Sequence, residues 1–367
     1  MKVFLVGLFL MFSSTGIWGQ QLSVLTSLND SLEESSGLIY LNQKLLTFND
    51  SGGKPAIYEV DSTNGNIIRT VVLTNATNID WEGICFDDDY IYVADIGNNA
   101  GSRTNLRVYR VLISVFFNTV NDSIQADVIS FNYSDQTSFT PSLYTTNFDA
   151  EAIISVDTNL FIFTKNWGNQ RSTIYPLSKN PGTYSLTKID SFNAQGLITG
   201  ASYLPNSNKI MLTGYALNSP FVIELSGYSF PSFSNGIVQK TNLIPPSGYS
   251  TQIESIAAIN DFEFYLTAEK YTSSSALYKL IMPNSVNVEK VQLDSDTLYP
   301  NPSSHMVTII SKDFASAEIY DLKGSFLSMY TINQIDVSGF NSGMYVLLLI
   351  DQTGFATRKM LVINKLP

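Results

Sequence analysis

The sequence predicts an all-β chain: a β-propeller of five repeats, a sixth blade left open, followed by a small antiparallel β-sandwich. Three observations carry this. A phrase of two short apolar strands joined by a polar turn recurs at Ser36–Asp50, Asp80–Asn99, Glu151–Lys165, Thr199–Gly214 and Glu254–Ala268. A third strand follows each copy, and taking Tyr58, Tyr109, Tyr175, Ile223 and Tyr278 as equivalent gives steps of 51, 66, 48 and 55 residues. From Leu298 the texture changes to alternating strands cut by Gly and Asn turns, unrelated to the repeat. Repeats of roughly 40–50 residues with four short strands mark a propeller, whose blades must stack because no blade buries both its faces alone.

In order along the chain, Met1–Gln20 reads as an export signal, with Lys2 as its positive end and Val3–Phe12 as its apolar run. That run is too short to span a bilayer, and no later stretch does so. The propeller is expected over 21–293, a linker over 294–297 and the sandwich over 298–367. Leu22–Leu28 is a lone strand suited to closing the ring beside Val286–Leu293. In the first blade Asp61–Gly65 carries the Asn-Gly signal of a tight hairpin before an outer strand at Asn66–Leu73. The second blade continues through Leu112–Val120, closes with Gln125–Asp135, and takes its longer step from an insertion between Leu112 and Asn147. The third blade ends near Ser185–Phe192, after the turn Asn180-Pro181-Gly182. In the fourth, Pro205–Asn208 joins the first two strands. The fifth ends at Val286–Leu293.

Composition narrows the function. The net charge of −11, with no cluster of Lys and Arg, argues against a nucleic-acid partner. Only 14% of residues are charged, so the surface is built of hydroxyls and amides. Cys85 is the single cysteine, so an exported chain here has no disulfide; within an apolar strand it reads as a small buried hydrophobe. The single histidine, His305, lies in the other domain, which sets aside a Cys–His or Ser–His mechanism.

The C-terminal segment closely resembles the type A sorting domain of the type IX secretion system of Bacteroidetes. The matching features are Tyr299-Pro-Asn-Pro302, Ile319-Tyr-Asp-Leu-Lys-Gly324, Val337–Tyr345 and Lys359–Lys365, in that order. The resemblance implies the type IX machinery as a partner, outer-membrane translocation, and a secreted or surface-attached product. The repeat region resembles secreted bacterial propellers related to gluconolactonase/regucalcin and to NHL repeats, most clearly over Asp80–Arg110. That likeness speaks to fold more than to activity.

Candidate site residues follow from the phase of the repeat. Glu82, Glu151 and Glu254 begin the first strand of their copies, facing the expected channel, with Ser36 and Thr199 in the same place elsewhere. Three carboxylates about one axis repel one another unless a cation or hydrogen-bond donors sit among them. Oxygen-only ligation suits Ca²⁺, or Mg²⁺ with waters, and the gluconolactonase resemblance implies a divalent metal at the channel mouth. The competing reading has each Glu capping backbone N–H groups of the next blade. Recurrence favours capping, because a true site breaks the symmetry of its repeat. Asp50, Asp95, Lys165 and Glu269 do break it, at the ends of second strands; Asp50 and Asp95 join the three glutamates as metal candidates. Lys165 either orients an anionic ligand or neutralises its acidic neighbours. The loop Asp95–Asn99 has a calcium-loop composition without EF-hand spacing. Two functions stay open: a binding module for a small molecule, a glycan or a protein, and a metal-dependent lactonase- or esterase-like hydrolase.

Overall fold

The computed structural model describes residues 20–217, 219–246, 249, 252–270, 274–282, 297–311, 313–352 and 356–365. The export signal over 1–19, the strand expected at Val286–Leu293 and the linker over 294–296 lie outside these residues. The chain divides at Asn284/Ser285 into two compact units, and both are almost wholly β.

Among the described residues the N-terminal unit contains five sheets, each built round strands that are consecutive in the chain and antiparallel, three of them carrying a further parallel strand at the outer edge. Their first strands are Ser35–Leu41, Trp81–Phe86, Ala150–Val156, Leu197–Leu204 and Ile253–Ala258. These neighbour one another in chain order, and the fifth also neighbours the first. The core has the same form. It comprises five apolar clusters, each between consecutive sheets, the last joining the fifth sheet to the first. The five residues that set the repeat fill one cluster each: Tyr58, Tyr109, Tyr175, Ile223 and Tyr278. A single large apolar side chain per sheet, always turned toward the preceding sheet, is why that position repeats. This is a propeller-like arrangement.

The lone N-terminal strand, Ser23–Ser27, pairs antiparallel with Ala276–Ile281 and is the fourth strand of the fifth sheet. Strands from before the first repeat and from the last thus meet in one sheet, where Ser23–Ser27 takes the place beside Ala276–Ile281 expected for Val286–Leu293. Gly65, at φ +75°, ends the hairpin turn of the first sheet, where a Cβ would lie 2.0 Å from the Ser27 carbonyl oxygen. Two further expectations are corrected. Ile113–Asn118, read as strand, is a short α-helix that buries Phe116; its β-branched and aromatic residues signal burial as strongly as they signal strand. Ser185–Phe192, expected to end the third sheet, divides: Ser185 and Leu186 belong to the strand Gly182–Leu186, which pairs parallel with Asp127–Tyr133 of the second. The third sheet closes with Asp190–Asn193.

The C-terminal unit holds a three-stranded and a four-stranded antiparallel sheet. Both contribute to one core, with Leu298, Val307 and Ile335 from the first and Ile319, Leu347 and Leu361 from the second. Thr297, expected in the linker, opens its first strand.

Candidate functional site

In all five sheets the pairing of the first two strands slips at the same place, and the slipped residues are Ser36, Glu82, Glu151, Thr199 and Glu254. A bulge leaves its extra residue outside the ladder and re-aims its side chain. Here it gathers five side chains at one end of the inner strands. The residue after each bulge is small: Gly37, Gly83, Ala152, Gly200, Ser255. At Gly83 an added Cβ would lie 2.9 Å from Ile153 of the next sheet, and at Gly200 2.9 Å from the Ser255 backbone. The step from a polar to a small residue therefore records inner strands in close approach.

Capping of neighbouring backbone falls to the hydroxyls. Thr199 Oγ1 donates to the Ile253 carbonyl at 2.7 Å, and Ser36 Oγ lies 3.1 Å from the Glu82 carbonyl oxygen and 3.0 Å from its Oε2. Among the described residues no backbone N–H donates to the three glutamates. Their surroundings differ. Glu151 forms a buried ion pair with Lys165. At Glu254, 5% exposed, burial raises the carboxyl pKa and the charge of Lys165 opposes it. Glu82 meets Asp50 and Asp80, all three placing carboxylate oxygens within 4.8 Å of one another.

This trio is electrostatically frustrated. Burial, with Asp80 and Glu269 close by, pushes the Asp50 carboxyl up to about 9. Burial, then Glu151 and Asp50, raises Glu82 well above the usual range. Asp50 Oδ1 is buried without a hydrogen-bond partner. Gly97 makes room for the group: a Cβ there would lie 2.4 Å from Asp80 Oδ2 and 2.5 Å from Glu82 Oε1. Two oxygens each ~2.4 Å from one calcium ion stand at most ~4.8 Å apart, so the trio fits a hard divalent cation.

Asp50, Glu82, Glu151, Glu254 and Glu269 line one cavity of about 410 Å³, with Lys165, Tyr144, Trp167 and Tyr215 on its wall. Burial pulls the Lys165 pKa down, but Glu151 and Glu254 push it up by more, and the ammonium stays charged. It sits 4.9 Å from the Trp167 ring and 5.3 Å from that of Tyr215. Trp167 is anchored by Nε1, which donates to Asp149 Oδ2 at 2.7 Å. Asp95 is held elsewhere, accepting from Arg103 Nη2 at 2.8 Å and from the Asp80 backbone N–H at 3.1 Å. The structure thus places four of the five sequence candidates on the cavity and commits Asp95 to an arginine. Sequence reasoning missed Asp80 and the aromatic wall. Asp80 stands two residues before the repeated glutamate, where the first and third copies also carry an acid, Glu34 and Asp149, and that recurrence was the signal that could have found it.

Below this mouth the inner strands leave a cavity of only about 10 Å³, room for one water, between Leu38, Ile84, Ile153, Ala201 and Ile256. Beyond it a second mouth opens. Cys85, buried on that side, has its thiol pKa pushed up by burial, as befits an inert core residue.

Residues 297–364 match the family of the secretion system C-terminal sorting domain. A stretch of 111 residues is 32% identical to beta-agarase D of Zobellia galactanivorans, covering 30% of this chain and 21% of that protein. The chain therefore spans about a fifth of the length of the curated relative it matches. Among solved structures, the exo-β-1,3-galactanase of Phanerochaete chrysosporium is 12% identical and covers 93% of each chain at a TM-score of 0.45. The periplasmic gluconolactonase of Pseudomonas aeruginosa is 10% identical over 88% of this chain and 96% of that one, at a TM-score of 0.34. The PQQ-bound aldose sugar dehydrogenase of Streptomyces coelicolor is 11% identical over 71% and 97%, at 0.39. Such distant likenesses carry nothing about what this chain binds. The sorting domain does carry a conclusion: the chain is a secreted or cell-surface protein of the type IX route.

Proposed function

We propose that this is a five-bladed propeller delivered by a sandwich-type sorting domain, and that it is a binding module whose acidic mouth takes a divalent cation, Ca²⁺, and a small polar ligand such as a glycan. One observation carries the reading. Five carboxylates line the cavity against one ammonium, and Glu151 already uses that ammonium. The uncompensated side holds Asp50, Asp80 and Glu82, whose oxygens have the spacing a calcium ion needs. Glu254 and Glu269 stand farther round the wall as further oxygen donors. Tyr144, Trp167 and Tyr215 offer ring faces on which a sugar can stack. When bound, the cation would supply the positive charge that lets the trio ionise together.

A metal-dependent hydrolase acting on a lactone or ester is the second reading, favoured by Glu269. Burial, then Glu254, pushes its carboxyl up to about 8, a range that suits proton transfer near neutrality.

Calcium titration of the chelated, full-length mature protein, followed by thermal melting, tests the cation. Stabilisation should grow as RT ln(1 + [L]/Kd), roughly 2.7 kcal/mol at a hundredfold excess over Kd. Asp50→Asn should abolish the response. An unchanged wild-type melting curve on back-titration removes the cation. Turnover of an aryl ester or a lactone that Glu269→Gln eliminates would promote the hydrolase reading.

A further inference from the structure

The end of the channel opposite the acidic mouth is also built. Two positions beyond the apolar ring of the inner strands, the alternation of a strand turns the next five side chains the same way. They are Tyr40, Phe86, Ser155, Tyr203 and Ala258. All five line two adjoining cavities, of about 390 and 230 Å³, which share Phe86, Tyr203 and Pro205. Three of the five are aromatic, and Phe86 is 38% exposed. Ser155 contributes a buried Oγ with no hydrogen-bond partner, on a residue 8% exposed.

Charge about this mouth is one-sided. Asp87, Asp88 and Asp157 line the larger cavity and Asp261 the smaller, against Lys179 alone. The Lys179 ammonium is already engaged, donating to Asp87 Oδ2 at 2.8 Å and to the Asp157 carbonyl at 2.7 Å. Asp87 is kept ionised: bonds from Lys179, the Tyr90 backbone and Tyr92 outweigh the effect of burial.

We propose that this mouth binds an organic cation, an alkylammonium group with an apolar body, in a cage formed by Tyr40, Phe86 and Tyr203. The faces of aromatic rings carry negative potential and attract a weakly hydrated cation. The apolar walls suit its methyl groups, the acidic rim excludes anions, and Ser155 Oγ can bond a hydroxyl on the same ligand. Among the described residues the converging carboxylate set is Asp50, Asp80 and Glu82, at the other mouth. The site is separated from the acidic mouth by the narrow part of the channel and does not rest on the calcium reading.

Choline is the probe, measured by calorimetry on the full chain, and 3,3-dimethylbutan-1-ol is its uncharged isostere. Choline should bind at least ~fivefold more tightly than the isostere, the size of one modest cation–π contact. Phe86→Leu and Tyr203→Leu keep apolar volume but lose the ring, and each should weaken choline by a similar factor without moving the melting temperature. Tyr40→Leu replaces either variant that fails to fold. Saturating Ca²⁺ should leave choline affinity unchanged. Equal affinity for the two probes, no saturable choline binding, ring-less variants that bind as wild type, or competition by Ca²⁺ would each overturn the cage.

Discussion

Glu82 and Glu151 occupy the same bulge of consecutive sheets and are both almost wholly buried, which pushes both carboxyls up, yet their nearest charged neighbours are of opposite sign. Glu151 has Lys165, which follows the second strand of its own sheet. Among the described residues no cation of its own sheet pairs with Glu82; the end of the second strand is Asp95 here, and Arg103 and Arg107 take it out of play. Its neighbours from adjoining segments, Asp50 and Asp80, are acidic. The repeat thus fixes where a side chain points, while the residue ending the neighbouring strand decides its charge state. A carboxylate paired within the protein is structural; one crowded by like charges waits for something from outside.

Breaking the paired half should have the largest effect. Lys165→Met leaves Glu151 buried without its partner, and removing one member of a buried pair costs about 3–5 kcal/mol. Denaturant unfolding should show that loss, and Lys165→Met combined with Glu151→Gln should recover most of it. A single variant within about 1 kcal/mol of wild type would mean that Glu151 takes up a proton and the pair stabilises little.

The contrast also shows what a sequence of this kind reveals. Tandem repetition states each constraint five times, so the equivalent third-strand residue and the polar residue that opens each first strand were legible, while the bulge that aims the latter was not. The strand at Ser23–Ser27 was legible as a strand, since an apolar run ahead of the first repeat needs a sheet, but its partner is Ala276–Ile281, beside which Val286–Leu293 was expected. The helix at Ile113–Asn118 was not legible, because Leu112-Ile-Ser-Val-Phe-Phe117 has strand composition and occurs once. Gly182–Leu186 was recognisable as a strand but not as a partner of the second sheet, since pairing is non-local. Asp80 escaped for a related reason. It reaches the trio through the turn before Trp81 and the missing side chain at Gly97; Asp149 holds the same place in the third copy, but there Trp167 donates to its carboxylate.

The crowded half should show itself in the pH dependence of stability. Burial, with acidic neighbours, raises Asp50 from 3.8 to about 9 and Glu269 from 4.5 to about 8. The folded chain then holds protons that the unfolded chain has released. Raised pKa values add stability that is complete below the unfolded values, near 4, and drains away as pH rises toward 8 and 9. In chelator, the melting temperature should therefore fall between pH 5 and 8. Measurement stops there because Lys240, lowered to about 8 by burial, works with the opposite sign above it. A flat or rising profile would show that these carboxyls ionise freely in the folded state.

The smallest effect is expected where the paired half gave the largest. With no cation present, Glu82 is held neutral by burial and by its acidic neighbours, so Glu82→Gln replaces one uncharged group by another of the same shape. The Gln oxygen can still accept from Ser36 Oγ, and its amide can donate to the unpartnered Asp50 Oδ1. Metal-free stability should therefore stay within about 0.5–1 kcal/mol of wild type, in either direction. Calcium should tell the two proteins apart, because the variant lacks one of the three charged oxygen donors that ligand binding requires. The measurement is paired melting in chelator and in saturating Ca²⁺: wild type gains and the variant does not. If Glu82→Gln instead lost stability equally in both conditions, Glu82 would be a structural residue like Glu151, and the difference between the two halves of the mouth would be one of partners only.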